Sequence, residues 1–185
     1  MTYACCAFAL VAALQITPGQ TRAPADDPAL RGFHQEVDRY LALRTKLREE
    51  LAVHVPNSTA KEITSTSDAL ARAVQRARPK PRRGVFFTAA ASAAIKRRLN
   101  EVLAAPESAA VLEAIDDERP TIRAPRVYLR FPEASQLATM PPSVLAVLPR
   151  LPPELEYRII GRDLVLRDMS AALVLDFIPN AVPRP

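Results

Sequence analysis

Apolar positions change their period near residue 120. Upstream they recur every three or four residues; downstream they alternate or run on without a break. Leu30, Phe33, Val37, Tyr40, Leu41, Leu47 and Leu51 share one helical face and predict a helix from about Pro28 to His54. Asp27 suits its N-cap and Pro28 its first turn, and Pro56 stops it. A second helix is expected over Thr59–Ala77, with Ile63, Leu70 and Val74 inward and Arg78-Pro79-Lys80-Pro81 as its boundary. A third follows Thr88, a good N-cap, and carries Ile95, Leu99, Val102 and Leu103. Pro106 opens a fourth, which buries Val111, Leu112 and Ile115 and ends at Asp116-Asp117-Glu118 before Pro120. Connections this short favour antiparallel neighbours in a bundle.

Beyond residue 120, Arg126–Phe131 alternates and is rich in strand formers. Pro141-Pro142 starts a short helix over Ser143–Leu148. The segments 151–160 and Asp163–Asp168 flank Gly161-Arg162 and read as a β-hairpin, with Gly161 supplying a positive φ. Ala172–Ile178 is a further strand, and its continuous Leu173-Val174-Leu175 run predicts burial on both faces. An apolar strand left on a sheet edge recruits other chains. This one is therefore expected inside the sheet, paired with Leu164–Leu166 and packed on the helices. The fold class is α+β: an N-terminal antiparallel helical bundle over residues 26–120, then a small antiparallel β-sheet of three or four strands over 121–185, packed on the helices.

One apolar run fits neither half. Ala4–Leu14 is unbroken, is followed by Thr17-Pro18-Gly19, and leads to Ala23-Pro24-Ala25. It is too short to span a bilayer, which takes about 20 apolar residues. It has the length of the core of a secretory signal peptide, and Ala23 and Ala25 are the small residues a signal peptidase requires. Residues 1–25 are thus read as a signal peptide, cleaved between Ala25 and Asp26, although only the α-amino group of Met1 precedes the run with positive charge. This places the mature chain in the periplasm or outside the cell, with no stable membrane span.

The tail carries a resemblance. Its "LPPELEYR" lead-in at Leu151–Arg158, "GRDLVLRD" hairpin at Gly161–Asp168 and last strand "LVLDFI" at Leu173–Ile178 resemble the tail of uncharacterised exported bacterial proteins. Met140-Pro141-Pro142 and the helical half are similar to the same group, which implies export and no particular activity. Over about 28 residues the tail also looks like the C-terminal hairpin of RcnB-type periplasmic proteins, linked to nickel and cobalt efflux. That likeness implies an accessory role in metal homeostasis, for which the tail supplies no His or Cys ligand.

Composition narrows the function classes further. Both cysteines, Cys5 and Cys6, fall in the signal peptide, so the mature chain needs no disulfide and has no thiol chemistry. The net charge of +5 is interspersed along the chain, and there is no Trp, which argues against a nucleic-acid partner. His34 and His54 lie roughly 30 Å apart on one predicted helix and cannot share a metal. No phosphate-cradling glycine loop, HExxH or GxSxG pattern occurs. No cofactor is implied.

Four candidate ligand-binding residues stand out. Arg44 lies inside the apolar stripe of the first helix, so it either forms a structural ion pair, snorkels, or anchors an anionic ligand. Lys80, Arg82 and Arg83 belong to Arg78-Pro79-Lys80-Pro81-Arg82-Arg83, with four basic residues in six and Phe86-Phe87 close behind. That loop is either solvated surface, with both phenylalanines in the core, or a contact for anionic lipid head groups or a polyanion. Glu154, Glu156, Asp163, Asp168 and Asp176 admit a paired-acid hydrolase reading. The leading expectation is a non-enzymatic exported protein that binds an envelope protein or an anionic surface. Mass spectrometry of the native protein from fractionated cells should find an envelope or secreted species beginning at Asp26; intact Met1 in the cytosol would refute export.

Overall fold

The computed structural model describes residues 27–51, 60–117, 124–130 and 140–184. The signal-peptide segment with Ala25 and Asp26, the end of the first predicted helix with His54, Glu118 and Phe131 lie outside the described residues. The fold is α+β. After a 3-10 turn at Pro28–Leu30 come α1 (Arg31–Glu50), α2 (Ala60–Ala77), α3 (Ala89–Leu103), a 3-10 turn at Pro106–Ser108, α4 (Ala109–Asp117) and α5 (Pro142–Val147). Strands β1 (Leu155–Ile160), β2 (Asp163–Asp168) and β3 (Leu173–Ile178) form one antiparallel sheet in the order β1-β2-β3.

The expected local signals set the helix ends. Asp27 Oδ1 accepts the Ala29 amide at 2.9 Å, and its Oδ2 is 2.7 Å from Arg98 of α3, so the first turn is capped and tied to α3. Thr88 caps α3 by accepting the Ala91 amide at 3.3 Å. Gly161 has φ +59 and makes the two-residue turn closed by the Ile160–Asp163 pair. In the helical layer α1 packs beside α2, and α3 against the Pro28–Leu30 turn and α5.

The sheet buries both faces unequally. Leu155, Tyr157, Ile159, Leu164, Leu166, Leu173, Leu175 and Ile178 join Phe33, Tyr40, Val74, Phe86, Phe87, Ile95 and Leu99 in one core. Ile160, Val165 and Val174 form a smaller cluster on the outer face, with Leu129 and Phe177 against it. The Leu173–Leu175 run is buried throughout, as its composition predicts.

Two strand expectations need correction. β3 is not interior: the hairpin puts β2 in the centre and leaves β3 at an edge. That edge is partly covered by residues 128–130, because the Tyr128 amide donates to Val174 O (2.8 Å), the Val174 amide donates to Leu129 O (3.0 Å), and Arg130 bridges to Leu173. Over its described residues, 126–130, the predicted Arg126–Phe131 strand is not regular. The chain turns there, with Tyr128 at φ +68 and the Leu129 amide bonded to Arg126 O. A left-handed residue ends any extended run.

One buried ion pair ties the layers together. Arg44 Nε of α1 meets Asp168 Oδ2 of β2 at 2.7 Å, with side-chain exposures of 4% and 0%. The Tyr40 hydroxyl donates to the same oxygen at 2.8 Å, the Ala171 amide to Asp168 Oδ1 at 2.7 Å, and Arg44 Nη2 to Ser170 Oγ at 2.8 Å. Burial, then the Asp168 charge, push the Tyr40 phenol well above its ordinary range, so it stays a donor. Removing one partner of such a pair leaves an uncompensated buried charge. Arg44→Ala should cost about 3–5 kcal/mol in urea unfolding. Replacing Tyr40, Arg44 and Asp168 together by Phe, Met and Leu should recover most of that loss; a neutral Arg44→Ala would show that the pair contributes nothing.

Candidate functional site

The basic loop Arg78–Arg83 joins α2 to α3, and its own sequence stiffens it. Arg78 and Lys80 each precede a proline, which disfavours helical backbone at both, while Pro79 and Pro81 have fixed φ. α2 accordingly stops at Ala77. Past the cations, Gly84 turns the chain at φ +85, a conformation that side chains rarely adopt. The turn brings successive amides to one point.

Asp176 of β3 occupies that point. The Gly84 amide donates to Oδ1 and Oδ2 (2.9 and 3.1 Å), and the Phe86 and Phe87 amides both donate to Oδ2 at 2.9 Å. The Phe177 amide donates to Oδ1 at 2.8 Å. Asp176 is fully buried, and among the described residues no Lys or Arg lies within ion-pair distance of it. Among the described residues, backbone donors alone compensate this buried charge, in the manner of an anion-binding nest.

A β-bulge aims the side chain there. Leu166 pairs with Asp176 and Arg167 with Val174, so Leu175 is the extra residue on β3. Leu175 and Asp176, adjacent in sequence, thus both face the core, and Phe177 faces out beside Val165.

Phe86 and Phe87 are core residues. Phe87 stacks on Phe33 (5.5 Å between centroids) and lies 6.5 Å from the Tyr157 ring, while Phe86 meets Tyr40 edge-on at 5.8 Å. They offer no aromatic contact at the surface. Arg78 also turns inward. Its Nη2 is 2.7 Å from the buried Glu36, and its guanidinium lies over the Phe86 and Tyr40 rings at 5.3 and 5.9 Å.

Lys80, Arg82 and Arg83 remain exposed. Among the described residues no carboxylate lies within ion-pair distance of Lys80 or Arg82. Arg83 lies 5.5 Å from the Phe177 ring centroid. These three cations come together on one loop. Arg44 does not join them: of its possible roles the buried ion pair is the one observed.

The tail carboxylates face different spaces. Asp168 and Asp176 are enclosed on the inner face of the sheet. Glu156 is on the outer face, 2.7 Å from Arg158 and 3.1 Å from Arg167. Asp163 accepts the Asn180 amide at 2.8 Å, and Glu154 offers its carbonyl to the Met169 amide. His34 is half-buried against Phe33. Among the described residues, no cluster of three or more His, Cys, Asp or Glu is placed to hold a metal ion, and no helix is long and apolar enough to cross a membrane.

Sequence reasoning missed Glu36 and, although it names Asp176 among the tail carboxylates, the loop-anchoring role of Asp176. Glu36 was detectable: it falls on the stripe of Phe33, Val37 and Tyr40, eight residues before Arg44, and a carboxylate there needs a cation. Asp176 was not, since a bulge reverses the facing that alternation predicts.

No protein-family model matches the chain, and no curated protein or solved structure is detectably similar to it.

The two kinds of cation should separate on substitution. Arg78→Ala leaves Glu36 buried without its main partner and should lower unfolding stability by about 1–3 kcal/mol. Lys80→Ala, Arg82→Ala and Arg83→Ala together should change it by no more than about 0.5 kcal/mol per site, as exposed substitutions do. Equal urea midpoint shifts for the two variants would contradict this division.

Proposed function

We propose that the chain is an exported, non-enzymatic protein of the cell envelope that rests on an anionic surface through Lys80, Arg82 and Arg83. The observation that carries this reading is that the loop is docked to the sheet through a buried carboxylate while its three outer cations stay in solvent. Export rests on the apolar run and the Ala23-Pro24-Ala25 site, and cleavage after Ala25 would leave the Asp27 cap intact. The tail's resemblance to exported bacterial proteins agrees with it. The enclosed and dispersed carboxylates give no support to a hydrolase, and the tail adds no metal-ligating residue to support a role in metal homeostasis.

The surface we assign is a phospholipid bilayer with anionic head groups. Each cation near such a surface is worth about 1 kcal/mol. Three therefore give roughly a hundredfold preference over a zwitterionic bilayer at low salt. Co-sedimentation with vesicles containing phosphatidylglycerol should show that preference. It should fade as salt rises toward 1 M, where the Debye length falls to about 3 Å. The Lys80→Ala, Arg82→Ala, Arg83→Ala variant should lose it. Any interaction common to both vesicle types cancels in the comparison, so the difference between them is the readout. Equal sedimentation of the wild type with both would overturn the proposal.

A further inference from the structure

We infer that Asp176 is the positioning residue of the basic loop: a carboxylate that never meets the ligand sets the geometry in which Lys80, Arg82 and Arg83 meet an anionic surface. The inference rests on the anionic-surface reading and names the device behind it. Three of the amides that Asp176 accepts belong to Gly84, Phe86 and Phe87, directly after the last cation. The next strand residue, Phe177, carries the Arg83 guanidinium on its ring. Successive strand residues point to opposite faces. The end of the loop is thus held from both sides of β3, with Asp176 gripping the backbone inward and Phe177 the last cation outward. At the other end, Pro79 and Pro81 restrict the chain and Arg78 is bound to Glu36.

This arrangement orders the loop before any ligand arrives. Ordering a free backbone costs about 1–2 kcal/mol per residue, and a binding segment already ordered avoids that cost. Loss of the anchor over even one or two residues should therefore weaken binding about tenfold or more. Asparagine is the informative replacement. It keeps the volume of aspartate but removes the charge and turns one acceptor into an N–H₂ donor facing amide donors.

The test uses the full chain and four measurements. In the wild type, hydrogen exchange at the Gly84, Phe86 and Phe87 amides should be as slow as at β2; exchange at exposed-loop rates would overturn the inference whether or not a variant folds. Asp176→Asn, at a temperature where circular dichroism shows it folded, should bind phosphatidylglycerol vesicles about tenfold more weakly. Trypsin should then nick it after Arg82 or Arg83, bonds not followed by proline. The same substitution added to the Lys80→Ala, Arg82→Ala, Arg83→Ala variant should lower its melting temperature but change its vesicle binding no further. Wild-type affinity in folded Asp176→Asn would leave Asp176 a purely structural residue and overturn the inference alone. A wild type with no preference for anionic vesicles would overturn the anionic-surface reading, and this one with it.

Discussion

The structure turns on carboxylates taken out of water. Asp168 and Asp176 both lie on the inner face of the sheet with no exposure, and an ion left bare there would be prohibitively costly. Each must be met by donors brought from elsewhere in the chain. Asp168 is met by α1, through Arg44 and Tyr40, and by the turn amide of Ala171. Asp176 is met by the loop before α3, through backbone amides alone. Two strands are thereby tied to two segments far from them in sequence. An apolar face packs in many orientations, whereas these donors and acceptors fit in one. In this protein we read the two carboxylates as devices of specificity more than of net stability.

The aromatic core and the cationic loop meet at the same place. Phe33, Phe87 and Tyr157 form one set of ring contacts and Tyr40 and Phe86 another within the same core, and Arg78 covers the second while bonded to Glu36. Phe86 and Phe87 enter the core because their own amides bond Asp176. The segment that anchors the aromatic cluster therefore also fixes where the preceding cations emerge. Arg130 plays a parallel part beside the start of β3, joining Ser67 and Asp68 of α2 to the Ala171 carbonyl.

The sheet edge shows how local preference gives way to packing. The apolar composition of Leu173–Leu175 correctly demanded cover on both faces, yet cover did not require a central position. With two tight turns in succession, β2 alone can be central. Its neighbour β3 is instead shielded by the short pairing with residues 128–130 and by the helical layer. The bulge at Leu175 is part of the same solution, since it bends the edge and turns a charged residue inward, where strand alternation would have turned it out.

Much of the fold was legible from residue pattern alone. Helical periodicity, the Asp27 and Thr88 caps, the proline boundary after α2 and the Gly161 hairpin all depend on neighbours within a few residues, and all appear where those neighbours place them. The exposed cations Lys80, Arg82 and Arg83 were legible for the same reason. Arg44 was legible as a problem, a charge on an apolar stripe, but its solution was not, because Asp168 lies 124 residues away. The role of Asp176 was wholly hidden. It depends on a bulge that shifts the register by one residue and on amides some 90 residues upstream, and neither leaves a mark in local sequence. Short-range sterics and hydrogen bonding determined the elements. Only the tertiary structure decided which buried charge met which donor, because compensating an ion in the core requires groups that chain folding alone brings together.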